Sequence, residues 1–177
     1  MELQGSVTIP STPDKVWRAL NNPDMLRLCI PGCEELKKTS DTEMTAKAVI
    51  KIGPVKAKFS GAVTLSDVDA PNSYIISGEG KGGAAGFAKG GAAVTLEEDG
   101  AETVLRYTVN AAVGGKLAQL GGRLIDAASK KLSREFFDKF ADLVGEEPAT
   151  AEMIEKEATA EAVGKAMDAS KPEAAYD

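Results

Sequence analysis

The chain has 177 residues, 43% of them hydrophobic, with two cysteines and no histidine. That length suits one domain with an appendage, and the apolar fraction is enough for a core. The totals exclude a histidine base, a disulfide framework and a membrane-spanning helix, since no run of about 18 apolar residues occurs.

The formal net charge of −6 is unevenly spread. From residue 146 onward, Glu146, Glu147, Glu152, Glu155, Glu157, Glu161, Asp168, Glu173 and Asp177 are opposed only by Lys156, Lys165 and Lys171, so the body before them is electrically balanced. A balanced body lacks the basic footprint of a nucleic-acid binder, and no nucleic-acid partner is expected. The opening MELQGSVTI carries no basic and apolar leader, which gives a cytoplasmic expectation.

In chain order, residues 2–9 alternate, with Leu3, Gly5, Val7 and Ile9 on one side, and predict a strand. Pro10 stops it. Ser11-Thr12-Pro13-Asp14 predicts a helix start with Ser11 as N-cap, followed by Val16, Trp17 and Leu20 on the apolar side. Asn22-Pro23 breaks that helix, and a second short one runs to about Cys29. Strands are then predicted at 33–39, 43–52, 55–65, 73–81, 87–98 and 102–113. The second of these puts Met44, Ala46, Ala48, Ile50 and Ile52 on one face; the third puts Val55, Ala57, Phe59, Gly61, Val63 and Leu65 there. Such alternation means a sheet with one dry and one wet face. Short-spaced strands without intervening helices imply an antiparallel meander.

Residues 115–144 place Leu117, Leu120, Leu124, Ile125, Ala128, Leu132, Phe136, Phe137, Phe140, Leu143 and Val144 at steps of three and four. This predicts one long amphipathic helix, with Gly121 and Gly122 in its first turns. The glycines fit close packing on the sheet or space left for a molecule beneath the helix. The expected class is therefore α+β: a curved antiparallel sheet of about seven strands wrapped around a long C-terminal helix, with two short helices after the first strand. Residues 1–145 form the folded domain in this reading. Residues 146–177, rich in alanine and glutamate, read as a disordered tail, with a partner-docking helix as the alternative.

Several constellations bear on chemistry. GEGKGG at 78–83 matches a dinucleotide fingerprint in letters only, because it leads into a strand and not a helix N-terminus. Ala88, Gly90, Ala92, Val94 and Leu96 share one face, and their small members suggest a bend or a pocket wall. Cys29 and Cys33 lack the further ligands a zinc site needs; they read as buried inert thiols or as a redox pair across Pro31-Gly32. Tyr74 and Tyr107 could bring a hydroxyl to an apolar cavity or serve the core. No G-x-S-x-G elbow occurs, and most acids fall on polar faces, turns or the tail.

Four stretches carry a family resemblance: MELQGSVTIPSTPDKVWRALNNPDMLRLCIPGCEEL (1–36), GPVKAKFSGAVTL (53–65), GEGKGGAAGFAKGGAAVTL (78–96) and VGGKLAQLGGRLID (113–126). Together they resemble the family of carbon monoxide dehydrogenase G subunits, within the START-like, helix-grip group of the SRPBCC superfamily. The resemblance implies a helix-grip fold over about 1–144 and a non-catalytic accessory role beside a molybdenum hydroxylase of the carbon monoxide dehydrogenase type. It implies recruitment of that enzyme to the membrane, and a cavity for apolar ligands under the long helix. No covalent cofactor and no metal are expected. A quinone carried between the soluble dehydrogenase and the membrane respiratory chain would join these properties. The acidic tail departs from the apolar or basic end expected of a direct membrane binder. A peripheral contact at the inner face of the cell membrane would then come through the cavity rim, a partner or a transient helix. The residues expected to line the cavity are Leu26, Phe59, Ile76, Phe87, Leu105, Tyr107, Leu117, Leu120 and Leu124, with Tyr107 as a hydrogen-bond donor. The rival readings are a protein-only recruitment or maturation factor with a filled core, and an aromatase/cyclase-like enzyme.

Overall fold

The structure, a computed structural model, describes residues 1–146. Residues 1–141 form one compact unit. A second begins at Asp142, and its described part is the end of the last helix. The tail expected at 146–177 lies outside the described residues apart from Glu146.

The alternating segments all become strands: β1 (Glu2–Ile9), β2 (Cys33–Ser40), β3 (Glu43–Ile52), β4 (Val55–Asp69), β5 (Ser73–Lys81), β6 (Phe87–Asp99) and β7 (Glu102–Gly114). They form one antiparallel sheet in the order β1-β7-β6-β5-β4-β3-β2. Only β1 is out of sequence order: it pairs with β7, Glu2 opposite Asn110 and Ile9 opposite Thr103. Two short helices fill the crossover from β1 to β2, α1 (Pro13–Leu20) and α2 (Pro23–Cys29). Asn22 caps α2, its side-chain oxygen accepting from the backbone N–H groups of Asp24 at 2.9 Å and Met25 at 3.3 Å.

The structure differs from expectation in three places. The N-cap of α1 is Thr12, held extended beside Pro13, and it makes no side-chain cap bond. A residue before proline is pushed to the extended region, which moves the boundary past Ser11. Ser11 is instead buried, and its carbonyl accepts a hydrogen bond from the buried Thr103 hydroxyl at 2.7 Å. Strand β4 runs past Leu65 to Asp69 through a register shift after Ser66. The single helix expected over 115–144 is two: α3 (Lys116–Gln119) and α4 (Gly122–Glu146). Gly121 separates them with φ +90°, in the left-handed region that a side chain would resist.

The packed core sits where β1 ends and α1 begins. Ile9, Val16, Thr103 and Leu105 there are fully buried. Phe140 of α4 is also fully buried and stacks on Phe136, centroids 5.7 Å apart. Phe136 meets Phe137 edge to face at 5.0 Å, and Phe137 stacks on Tyr107 of β7 at 5.1 Å. This aromatic chain ties α4 to the sheet.

The strand ends separate the charges. The β3–β4 and β5–β6 connections and the start of α3 and α4 lie at one end, with the exposed bases Lys51, Lys56, Lys81, Lys116 and Arg123. The β2–β3, β4–β5 and β6–β7 turns lie at the other, where exposed Asp41, Glu43, Asp67, Asp69, Glu97, Glu98, Asp99 and Glu102 outnumber the bases Lys37, Lys38 and Arg106, the last ion-paired with Glu97.

Candidate ligand cavity

Between the inner face of the sheet and α4 lies a cavity of about 560 Å³, within the range of roughly 300–1,000 Å³ typical of small-molecule sites. Register explains why it is empty of side chains. Across four strands, Ala46, Gly61, Gly80 and Ala88 face one another, and beside them Val63, Gly78, Gly90 and Ala111 do the same. All of these line the cavity. Towards the acidic end the rows become bulky: Leu65 and Ile76, then Tyr74, Val94 and Tyr107, then Leu105. Ser133, Phe136 and Phe137 of α4 form the opposite wall. Small residues thus line the cavity towards the basic end and bulky ones towards the core.

Two glycines show how firmly this shape is set. At Gly90 a Cβ would collide with the Asn110 carbonyl, so only glycine allows that close strand approach. At Gly80 a Cβ would meet nothing within 4 Å, because the position looks into the open cavity.

Of the nine residues expected to line the cavity, Leu26, Ile76, Leu105 and Tyr107 are on its wall. Phe59, Phe87, Leu117, Leu120 and Leu124 are not among the lining residues. Phe59 lies over Gly82, where a Cβ would be 2.5 Å from the ring. Phe87 covers Gly114 and is 41% exposed; Leu124 covers Gly53 and is 36% exposed. Leu117 is buried in α3 and Leu120 half-buried at its end. The break at Gly121 detaches these two from the phase of α4, which instead turns Ser133, Phe136 and Phe137 to the cavity. Sequence reasoning did not place Leu20, Ile30, Leu36, Met44, Val63 and Leu65 at the site; it left Tyr74 open between cavity and core, and the face of Val94 between a bend and a pocket wall. The alternation had already put Met44, Val63, Leu65 and Val94 on inward faces, which was the usable signal.

The wall is apolar with few polar side chains. Glu79 and Lys89 border it from the exposed face of their strands. Tyr107 reaches over Gly5 of β1, where a Cβ would be 2.7 Å from its hydroxyl oxygen. Tyr74 is 7% exposed and sits edge-on to Trp17, centroids 5.3 Å apart. Burial pushes its phenol up to about 12. Its hydroxyl has no hydrogen-bond partner among the described residues, a state that costs roughly 1–3 kcal/mol for a buried donor.

The model of the CoxG family, the G subunits of carbon monoxide dehydrogenase, matches residues 5–145. The chain belongs to that family. A search of curated proteins finds no match. Among solved structures, a conserved protein from Geobacillus kaustophilus is 31% identical, with 81% of this chain and 95% of that one aligned and a TM-score of 0.77. A START superfamily protein from Mycobacterium smegmatis (8% identity, TM-score 0.63, 81% and 96% covered) and a Streptomyces aromatase/cyclase (12%, 0.57, 81% and 93%) share the fold. The CoxG match and the START-like helix-grip fold give a CoxG-type protein with an apolar cavity suited to a hydrophobic ligand.

The P-G-C turn that carries part of the likeness to CoxG separates two free thiols. Cys29 is 2% exposed, and desolvation pushes its thiol up to about 12 against a small opposing pull from Lys139. Cys33 is half-buried; burial raises it, while its thiol donates to the Glu35 carbonyl at 3.4 Å. At pH 8 Cys29 therefore stays a protonated thiol, and the thiolate is the reactive form. Iodoacetamide at that pH is expected to label Cys33 in the native chain and to reach Cys29 only on unfolding. Peptide mass spectrometry reads this; equal labelling of both would contradict the burial of Cys29.

Proposed function

We propose that the protein is a non-catalytic carrier that holds a neutral apolar molecule, a quinone, in the cavity beneath α4. In this reading it serves a molybdenum hydroxylase of the carbon monoxide dehydrogenase type and links that enzyme to the membrane respiratory chain. The observation that carries the proposal is the apolar cavity of about 560 Å³ in a chain of the CoxG family. The family name supports the partner. Kinship with an aromatase/cyclase is at the level of fold, and fold alone does not transfer an activity.

The membrane link draws support from the basic end. Lys51, Lys56, Lys81, Lys116 and Arg123 are exposed there, together with Phe87 and Leu124. Cations attract anionic headgroups, and exposed apolar side chains favour the interface. The small residues of the cavity wall lie towards this end, so cargo would pass here between the bilayer and the protein. No helix among the described residues is long and apolar enough to cross a membrane, so contact by this body would be peripheral.

Native mass spectrometry with organic extraction, on protein purified from its own host, tests the proposal. A quinone at near one per chain is the expected result. A chain that arrives empty and cannot be loaded with quinones in detergent would overturn the carrier in favour of a protein-only recruitment factor.

A further inference from the structure

We infer that the Tyr74 hydroxyl is the polar anchor of the cavity, donating a hydrogen bond to the carbonyl of a neutral apolar ligand that enters with that group leading. The inference rests on the carrier reading and adds the ligand's chemistry and orientation.

Three observations converge on it. First, Tyr74 lines the cavity, is 7% exposed, and has no hydrogen-bond partner among the described residues. Its phenol stays protonated far above neutral pH, so it offers a donor and waits for an acceptor. Second, the charged residues bordering the cavity, Glu79 and Lys89, belong to the exposed face of the sheet. A carboxylate or ammonium drawn inside would lose its hydration with no opposite charge to meet it, whereas a carbonyl needs only the one donor. Third, Tyr74 lies in the row Tyr74–Val94–Tyr107, next to the packed Leu96–Leu105 row. In the other direction comes the Leu65–Ile76–Ala92–Val109 row, and beyond it the rows rich in glycine and alanine. A carbonyl-bearing head group therefore meets its one donor at the Tyr74 row, and an apolar tail runs along the glycine and alanine rows.

Trp17 is the one tryptophan in the chain, and it touches Tyr74 edge-on at 5.3 Å. A quinone ring beside Tyr74 is expected to quench its emission more strongly than a ring held among the glycine and alanine rows. The test titrates three probes into the full chain and into Tyr74→Phe: decylubiquinone, decanoic acid, and the hydrocarbon 1,6-diphenylhexatriene. Decylubiquinone is expected to quench Trp17 in the wild type and to bind Tyr74→Phe about three- to tenfold more weakly. The hydrocarbon should bind both proteins equally, and decanoic acid should bind the wild type more weakly than decylubiquinone. The melting temperature of ligand-free Tyr74→Phe should not fall, since the removed hydroxyl has no partner. Equal decylubiquinone affinity in the two proteins, decanoic acid binding as tightly as decylubiquinone, or a destabilised variant would overturn the anchor while leaving the carrier standing. A wild type that binds none of the probes would remove both.

Discussion

Replacing Gly80 with phenylalanine is expected to abolish ligand loading without loss of stability. Gly80 faces the cavity in mid-strand, its φ is not in the left-handed region, and a Cβ there meets nothing within 4 Å. Its cross-strand neighbours, Gly61 and Ala88, leave room for a ring. Glycine inside a strand is entropically unfavourable, by about 0.5–1 kcal/mol relative to alanine, so a side chain that fits should hold or raise the melting temperature. The ring would occupy the space a ligand needs, and loading of decylubiquinone should fall at least about tenfold. Gly90→Ala is the contrasting variant. There the new methyl meets the Asn110 carbonyl, so stability should fall first. Titration and calorimetry on both variants separate a filled cavity from a broken sheet. Undiminished loading of Gly80→Phe would mean that the ligand binds elsewhere.

Phe140→Ala should be among the most damaging single changes to the fold. The side chain is fully buried and stacks on Phe136, which continues to Phe137 and Tyr107. Truncating a buried phenylalanine costs about 3–5 kcal/mol, the lost transfer energy plus the cavity left behind. For a chain of this size that corresponds to roughly 10 °C or more in melting temperature. Urea unfolding measures it, and a loss under about 1 kcal/mol would contradict the place given to Phe140 in the core. Because Phe136 also lines the ligand cavity, the variant should loosen that wall and weaken ligand binding as well.

The strands were legible because two signals agreed along them. Alternation in segments such as 43–52 and 55–65 fixed which side chains face inward, and Gly53-Pro54, Pro71-Asn72 and Asp99-Gly100 marked the turns. The helix break was not legible. Gly121 and Gly122 are the same two letters whether they pack closely or turn the chain, and only φ +90° at the first decides. The cavity wall was half legible for a related reason. Inward faces follow from a single strand, but a void follows from several strands in register. Gly61 and Gly80 are nineteen positions apart in sequence and become neighbours only through the β4–β5 pairing. The rank of the tyrosines was hidden too. Both alternate inward, yet Tyr107 finds room over Gly5 while Tyr74 is enclosed beside Trp17.

The opposed charges at the two ends of the sheet give the balanced body a permanent dipole along the strand direction. A body without net charge feels little pull in a uniform field, but a dipole feels a torque. Near a negatively charged plane the body of this chain would rotate before it is drawn in, turning Lys51, Lys56, Lys81, Lys116 and Arg123 forward. The Debye length is about 8 Å at physiological salt, so this alignment acts only over the last nanometre of approach. Raising the ionic strength should therefore make encounters less well oriented, and slower to become productive, while leaving the uncharged interior of the cavity unaffected.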